Sequence, residues 1–301
     1  MSTVEVRHLL ALVALTEEGT FTDAAIRLGI TQSAVSRTIR SLEAVVGSRL
    51  VERTTRSVAL TPGGVRCYHA AVQALAAVDA VLDAAQDRSR PLRFGYSWSA
   101  LGRHTTTVLR RWRSEHAEVA LEVHRFDERD GGLARGRADV AIVRGEFAQP
   151  GITTRRLFAE PRLAVLPVGH RLAGASSVRL ADLVEDTVLT TAYGTTTLDL
   201  WPAGQRPARS LRVDNTDEWL TEIAGGLAIG VTAESTAVQH PHPGVVFVAL
   251  TDGGEIDVYL AWPTAQAHPA VADFVALVEE VSDRGRSRSA SEPRAGSAGS
   301  R

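Results

Sequence analysis

Thr22-Asp-Ala-Ala-Ile-Arg-Leu-Gly-Ile-Thr-Gln-Ser-Ala-Val-Ser-Arg-Thr-Ile-Arg40 is the stretch from which the N-terminal fold can be read. Thr22 has the chemistry of an N-cap for a short helix from Asp23 to Leu28. Gly29-Ile30 makes a tight turn, and Thr31 caps a longer helix running to about Gly47. On that helix Val35, Ile39, Leu42 and Val46 are spaced 4, 3 and 4 apart, so they share one buried face. Gln32, Ser33, Ser36, Arg37 and Arg40 fall on the opposite face, with Thr31 at its head. Arg grips guanine or phosphate, Gln pairs with adenine, and Ser adapts to either, so this face suits a DNA major groove. Upstream, Val6, Leu9, Leu10, Val13 and Ala14 have the spacing of one buried helical face, and Gly19 stops that helix. A short helix, a tight turn and a polar-faced helix together predict a helix-turn-helix.

Downstream, Arg49-Leu-Val-Glu-Arg-Thr-Thr-Arg-Ser-Val-Ala-Leu-Thr61 places two short apolar stretches around a basic turn. This predicts a two-stranded wing with Arg53 and Arg56 near its tip, contacting phosphate or the minor groove. The alternative is a structural hairpin whose arginines pair with Glu52. Charge supports the first reading. The chain carries a formal net charge of -2, but residues 27–66 carry +5, residues 91–283 carry -7 and residues 284–301 carry +4. A basic segment therefore precedes a large acidic body, an electrostatic footprint for a polyanion. All 33 basic residues are Arg.

These residues carry a resemblance. Arg7-His-Leu-Leu, Glu17-Glu-Gly-Thr-Phe-Thr-Asp-Ala-Ala, Leu28-Gly-Ile-Thr-Gln-Ser-Ala-Val-Ser-Arg, Ile39-Arg-Ser-Leu-Glu, Gly47-Ser-Arg-Leu-Val-Glu-Arg and Leu60-Thr-Pro-Gly-Gly resemble the N-terminal domain of LysR-type transcriptional regulators. The resemblance implies that Gln32 to Arg40 form the recognition helix and that the wing surrounds Arg53. Val51 departs from the Phe usual there; it is a smaller apolar residue in a packing role. Next, Pro62 suits a first helical position, and no breaker follows from Val65 to about Gln86. Val65, Tyr68, Val72, Leu75, Val78 and Leu82 form a stripe too long for the small DNA-binding unit to cover, which favours self-association. The family resemblance agrees: this is where its linker helix pairs two subunits. Cys67, the one cysteine, reads as a small core residue. It excludes a disulfide framework or a Cys-rich zinc site and fits a reducing cytoplasm.

The body beyond Arg90-Pro91 alternates strands with helices. Leu92 to Tyr96, Val119 to Val123, Ala138 to Val143, Leu163 to Pro167, Thr187 to Thr191, Leu211 to Val213, Ala228 to Val231, Val245 to Leu250 and Asp257 to Trp262 read as strands. Helices are expected at Val108 to Trp112, around Leu133, from Thr216 to Ala224 and from Ala270 to Val281. This predicts an α/β fold with a largely parallel sheet. The arrangement resembles the effector domain of LysR-type regulators, which is similar to periplasmic binding proteins; Val213-Asp-Asn-Thr-Asp-Glu-Trp, Gly225-Gly-Leu-Ala-Ile-Gly-Val and Glu234-Ser carry it. The expected layout is a winged helix-turn-helix over 1–61, a linker helix over 62–89 and a two-lobed effector domain over 90–282. Lobe I would hold about 90–161 and 266–282, and lobe II about 162–265. An Arg/Ser-rich tail, 283–301, has too few apolar residues to order itself.

Ligands in such folds bind between lobes, where strand ends face helix N-termini. Ser97 and Ser99, and Thr195, Thr196 and Thr197 after Gly194, offer hydroxyls and backbone N–H groups to a carboxylate or other small anion. The alternative is that they are plain helix caps. Arg144 could supply a cationic partner at the hinge or lie at the surface. Catalysis finds no support: His240-Pro-His242 is too local for a metal site, and no nucleotide loop or nucleophile elbow occurs. Neither an enzyme carrying a DNA-binding module nor an architectural protein without a sensor accounts for the whole chain. No cofactor, metal, signal peptide or membrane helix is expected, so the chain reads as a cytoplasmic regulator. Its expected partners are double-stranded DNA, further copies of itself as dimer or tetramer, an anionic small-molecule effector and RNA polymerase.

Overall fold

The computed structural model describes residues 3–53, 58–84, 90–191, 193–194, 198–265 and 267–289. The chain divides into two units, Met1–Arg90 with Ala134–Gly136, and Pro91–Leu133 with Arg137–Arg301.

The first unit runs α1 (Val6–Glu18), α2 (Phe21–Leu28), α3 (Gln32–Val46), β1 (Val51–Arg53), β2 (Val58–Leu60) and α4 (Pro62–Ala84). The buried face of α1 overlaps only in part with the one its spacing suggests: Ala14 is buried and Leu9 and Val13 pack against the core. Val6 and Leu10 are each 43% exposed, whereas His8, Ala11, Leu12 and Leu15 are buried. Apolar residues fill 9–15 without interruption, so two helical stripes satisfy the period. Packing selects the stripe that brings His8 Nε2 within 3.2 Å of Ser41 Oγ on α3. Helix α2 also starts earlier than expected. Its cap is Thr20, whose Oγ1 accepts from Asp23 N at 3.1 Å, and Thr22 lies inside the first turn. The earlier start brings the half-buried Phe21 against the core.

Helix α3 is capped as its sequence predicts: Thr31 Oγ1 accepts from Ala34 N at 3.2 Å. Gly47 closes it in the left-handed region, φ 73–75° being the value shared with Gly19. Val35, Ile39 and Leu42 are buried, and Val46 at the helix end is exposed. The strands β1 and β2 pair antiparallel from Val51↔Leu60 to Arg53↔Val58. Glu43 of α3 ties the hairpin down, its Oε1 accepting from Leu50 N at 2.9 Å and Val51 N at 3.2 Å. Val51 is buried, consistent with a packing role. Thr61 caps α4, accepting from Gly64 N at 2.9 Å. A Cβ at Gly64 would sit 2.0 Å from the Leu50 carbonyl oxygen, so this approach needs glycine. Along α4, Tyr68 and Val72 are buried in their own unit, while Val65, Val78 and Val81 are exposed. The stripe is thus covered only in part.

The second unit begins with β3 (Leu92–Tyr96), α5 (Thr105–Glu115), β4 (Leu121–Arg125) and β5 (Val140–Arg144). Both β4 and β5 pair parallel with β3. The helix expected around Leu133 is absent; residues 129–136 form turns. Gly131, Gly132 and Gly136 all adopt positive φ there, which breaks a helix. Next come β6 (Ile152–Pro167), β7 (Ser177–Val178), β8 (Val188–Thr191) and β9 (Ser210–Val213). They are followed by α6 (Thr216–Ala224), β10 (Gly230–Ala233), α7 (Glu234–Gln239), β11 (Val245–Leu250), β12 (Glu255–Pro263) and α8 (Val271–Ser289).

Strand β6 organises the unit. Its first part, Ile152 to Pro161, pairs antiparallel with β12. From Arg162 onward it lies between β10 and β11, both antiparallel. Lobe I therefore holds β4-β3-β5-β12-β6, and lobe II continues from the same strand through β10 and β11, with β7 parallel to β11. A parallel pair, β8-β9, reaches the second half through the Val188↔Ile229 bridge. The sheet is mixed rather than largely parallel, because the two connecting strands run against their neighbours. Because β12 also pairs with β5, it belongs to lobe I. The return between lobes falls at 251–254, ahead of the expected 265; strand periodicity identifies β12 without saying which sheet receives it. Lobe I buries Phe94, Trp112 and Phe274 together, with Phe94–Phe274 and Trp112–Phe274 centroids 5.2 and 5.3 Å apart. Helix α8 continues to Ser289, past the expected start of the tail at 283; residues 290–301 lie outside the described residues.

Candidate functional site

In the first unit the sequence-predicted face of α3 is brought together. Thr31, Gln32, Ser33, Arg37 and Arg40 are exposed and Ser36 is half-buried. Thr31 spends its hydroxyl on the helix cap and sits 3.1 Å from Ser33 Oγ. Arg37 and Arg40 make no ion pair or hydrogen bond among the described residues, so both guanidinium groups are available to phosphate or a base edge. The backbone of Arg53 ends β1. Arg56 lies outside the described residues.

In the second unit a pocket opens between the lobes. It encloses about 370 Å³, its open mouth included, and is lined by Trp98 from lobe I and by Thr190, Thr191, Tyr193, Gly194, Thr216, Trp219, Val231 and Thr232 from lobe II. Trp98 and Tyr193 meet across it with ring centroids 6.1 Å apart. At the rim Arg125 of β4 donates to Asp127 at 2.8 Å and to Asp217 of α6 at 3.3 Å, a link between lobes. Burial pushes the Tyr193 phenol above its ordinary value.

The loop after β3 is held in an unusual conformation. Ser99 and Ala100 both have positive φ, 52° and 33°, which costs on the order of 1–3 kcal/mol per residue unless the surroundings enforce it. Arg144 does so. Its Nη1 donates to Trp98 O at 3.0 Å and its Nη2 to Ala100 O at 2.8 Å. The same Nη2 reaches Glu160 Oε1 at 3.4 Å and Ser235 Oγ at 3.3 Å. Ser235 in turn donates to Glu160 Oε2 at 2.6 Å. Arg144 and Glu160 side chains are 2% and 7% exposed, so the pair is buried where β5, β6 and the start of α7 converge. Gln239 Nε2 adds a further tie across the lobes, donating to Gly102 O at 2.8 Å. Glu160, Ser235 and Gln239 were not singled out by sequence: nothing in their spacing marks them, and only the path of β6 brings them to Arg144.

The predicted effector residues fare differently. Ser97 is buried and donates to Glu128 O at 2.5 Å, bracing the turn region. Ser99 is buried and its Oγ has no partner among the described residues. Neither caps α5, whose N-cap is His104 after a 3-10 turn, Gly102–His104. Arg144 lies at the hinge, buried. Thr195, Thr196 and Thr197 lie outside the described residues. Trp98 Nε1 and Arg144 Nε are further buried donors without a partner among the described residues.

Two histidines bear on pH. Burial, aided by Arg103, pushes His104 below its ordinary 6.5. Burial likewise lowers His240, with Asp217 opposing and Arg125 and Arg144 adding. Each group binds a proton more readily unfolded than folded, so its stabilising effect is full above about pH 6.5 and falls as pH drops below it. Urea unfolding of the second unit is expected to show lower stability at pH 5.5 than at 7.5, with a smaller difference in His104→Gln. Parallel losses in both proteins would remove His104 as a source.

Among the described residues no helix is long and apolar enough to cross a membrane. Two family models match, "Bacterial regulatory helix-turn-helix protein, lysR family" over residues 6–65 and "LysR substrate binding domain" over residues 85–283. The HTH-type transcriptional regulator ShiR of Corynebacterium glutamicum is 33% identical over 277 residues, spanning 86% of this chain and 92% of that protein. The Hca operon transcriptional activator HcaR of Escherichia coli is 29% identical over 290 residues, spanning 92% and 98%. Full-length CbnR, solved in complex with its target DNA, has the same fold with a TM-score of 0.59 at 22% identity, covering 92% of this chain and 100% of that one. A helix-turn-helix domain followed by a LysR substrate binding domain is the arrangement that the two family models give this chain. The chain belongs to the LysR family of DNA-binding transcriptional regulators.

Proposed function

We propose that this regulator acts in the cytoplasm as a homo-oligomer, with Thr31, Gln32, Ser33, Ser36, Arg37 and Arg40 reading the major groove and the wing arginines holding the backbone. The observation that carries this is the exposed face of α3, where Arg37 and Arg40 have no partner among the described residues while Val35, Ile39 and Leu42 on the opposite face are buried. The exposed Val65, Val78 and Val81 of α4 support pairing of two subunits along that helix. A dimer then meets an interrupted palindrome whose half-sites lie one helical turn or a multiple apart. Arg37→Ala is expected to weaken operator binding by about 1–3 kcal/mol. Fluorescence anisotropy against the operator checks it, and unchanged affinity would remove Arg37 from the contact set.

The second half of the proposal concerns control. A small molecule bound in the pocket between the lobes favours one lobe arrangement and so shifts the population of oligomer states on DNA. Trp98 of the pocket lining has a buried Nε1 without a partner among the described residues, which supports a ligand at this place, because such groups rarely go unsatisfied.

A further inference from the structure

Resting on the reading that an effector binds between the lobes, we infer its chemical class: a small compound with a planar aromatic ring carrying one hydrogen-bond-accepting oxygen. The lining holds three aromatic side chains, Trp98, Tyr193 and Trp219, in a chain that is only 5% aromatic. Trp98 comes from lobe I and Tyr193 from lobe II, with planes tilted 40° and centroids 6.1 Å apart. A ring bound beside them meets an aromatic face from each lobe within stacking range. Ring binding therefore bridges the two lobes, which a ligand touching one lobe alone does not.

The polar groups narrow the class further. Among the described lining residues no side chain is charged. Those on lobe II are largely engaged with one another or with backbone. Thr190 Oγ1 donates to Leu211 O at 3.2 Å, Thr232 Oγ1 pairs with Thr236 Oγ1 at 2.7 Å, and Trp219 Nε1 donates to Leu189 O at 2.8 Å. Thr216 Oγ1 lies 3.5 Å from the Tyr193 hydroxyl. The buried lining donor left over is Trp98 Nε1. A polyol or a phosphorylated ligand asks for many donors and a cation, which the described lining residues do not offer. A ring bearing one acceptor oxygen satisfies the indole N–H and leaves the rest of its surface against apolar faces.

Isothermal titration calorimetry on the full chain tests this with benzoate, 4-hydroxybenzoate and phenol against cyclohexanecarboxylate and cyclohexanol. At least one aromatic probe is expected to bind roughly tenfold more tightly than its saturated counterpart, since two aromatic faces each favour a ring. Trp98→Phe keeps a ring but loses the N–H and is expected to weaken that probe about fivefold. Trp98→Leu loses both and is expected to weaken it more than about tenfold, with the melting transition confirming that the variant folds. Saturated probes that bind as tightly, and are lost in Trp98→Leu, overturn the aromatic class and leave the interlobe site standing. An aromatic probe that binds Trp98→Leu as well as the parent chain overturns both. Absence of binding by all three aromatic probes overturns the aromatic class.

Discussion

Arg144→Met is expected to lower the unfolding free energy of the C-terminal unit by about 3–5 kcal/mol, the usual cost of removing one partner of a buried ion pair. The size follows from what is left behind. Glu160 is buried, and without the guanidinium only the Ser235 hydroxyl remains to it among the partners described above. The carbonyls of Trp98 and Ala100 also lose their donor, so the positive-φ turn at Ser99-Ala100 loses its brace. Urea unfolding followed by tryptophan emission reads the loss. Replacing both partners, Arg144→Met with Glu160→Leu, is expected to recover part of it, because the uncompensated charge is then gone. A single variant within about 1 kcal/mol of the parent would show that the cluster is hydrated and contributes little.

Trp219→Ala is expected to cost a similar amount, about 3–5 kcal/mol, as large core truncations do. Trp219 is 5% exposed and packs with Leu189, Leu220 and Ile223 in lobe II. Its Nε1 donates to Leu189 O at 2.8 Å, so truncation also strands a strand carbonyl. Neighbouring residues have little freedom to refill the space: a Cβ at Gly230 would already sit 2.0 Å from Trp219 Cζ2, showing that the indole lies flat against the β10 backbone. The same truncation removes one wall of the interlobe pocket. Thermal unfolding reads the stability loss. A melting temperature unchanged within error would mean that lobe II packs without this side chain.

The parts legible in the sequence were those governed by local rules. Thr31, the Gly29 turn and the Val35/Ile39/Leu42 spacing are one continuous segment, so propensity, capping and period agree on α3 without help from elsewhere. Helix α6 is equally local: Asn215 caps it, accepting from Glu218 N at 2.9 Å, and its expected span is the observed one. Ambiguity entered where two local solutions were equivalent, as with the two apolar stripes of α1 or the competing Thr20 and Thr22. The first part of β6 was missed because Thr153-Thr-Arg-Arg156 is polar and half-exposed, without the apolar run expected of a central strand. The hinge cluster was beyond sequence altogether. Arg144, Glu160 and Ser235 are separated by 16 and 75 or more positions along the chain, and their meeting depends on which sheet receives which strand.

That one strand serves both sheets has a mechanical meaning. Two domains joined by loops swing like a door, with resistance only at the contact surfaces. Here the pivot is itself a hydrogen-bonded ribbon, paired on one side of Pro161 to β12 and on the other to β10 and β11. The return turn is clasped to it as well, since Arg162 Nη1 donates to Gly253 O and Glu255 O, both at 2.8 Å. Any relative motion of the lobes must therefore twist this ribbon about its length, as a torsion bar does. A change in the angle between the lobes therefore reaches the backbone of this strand directly, because both halves of it are hydrogen-bonded into a sheet.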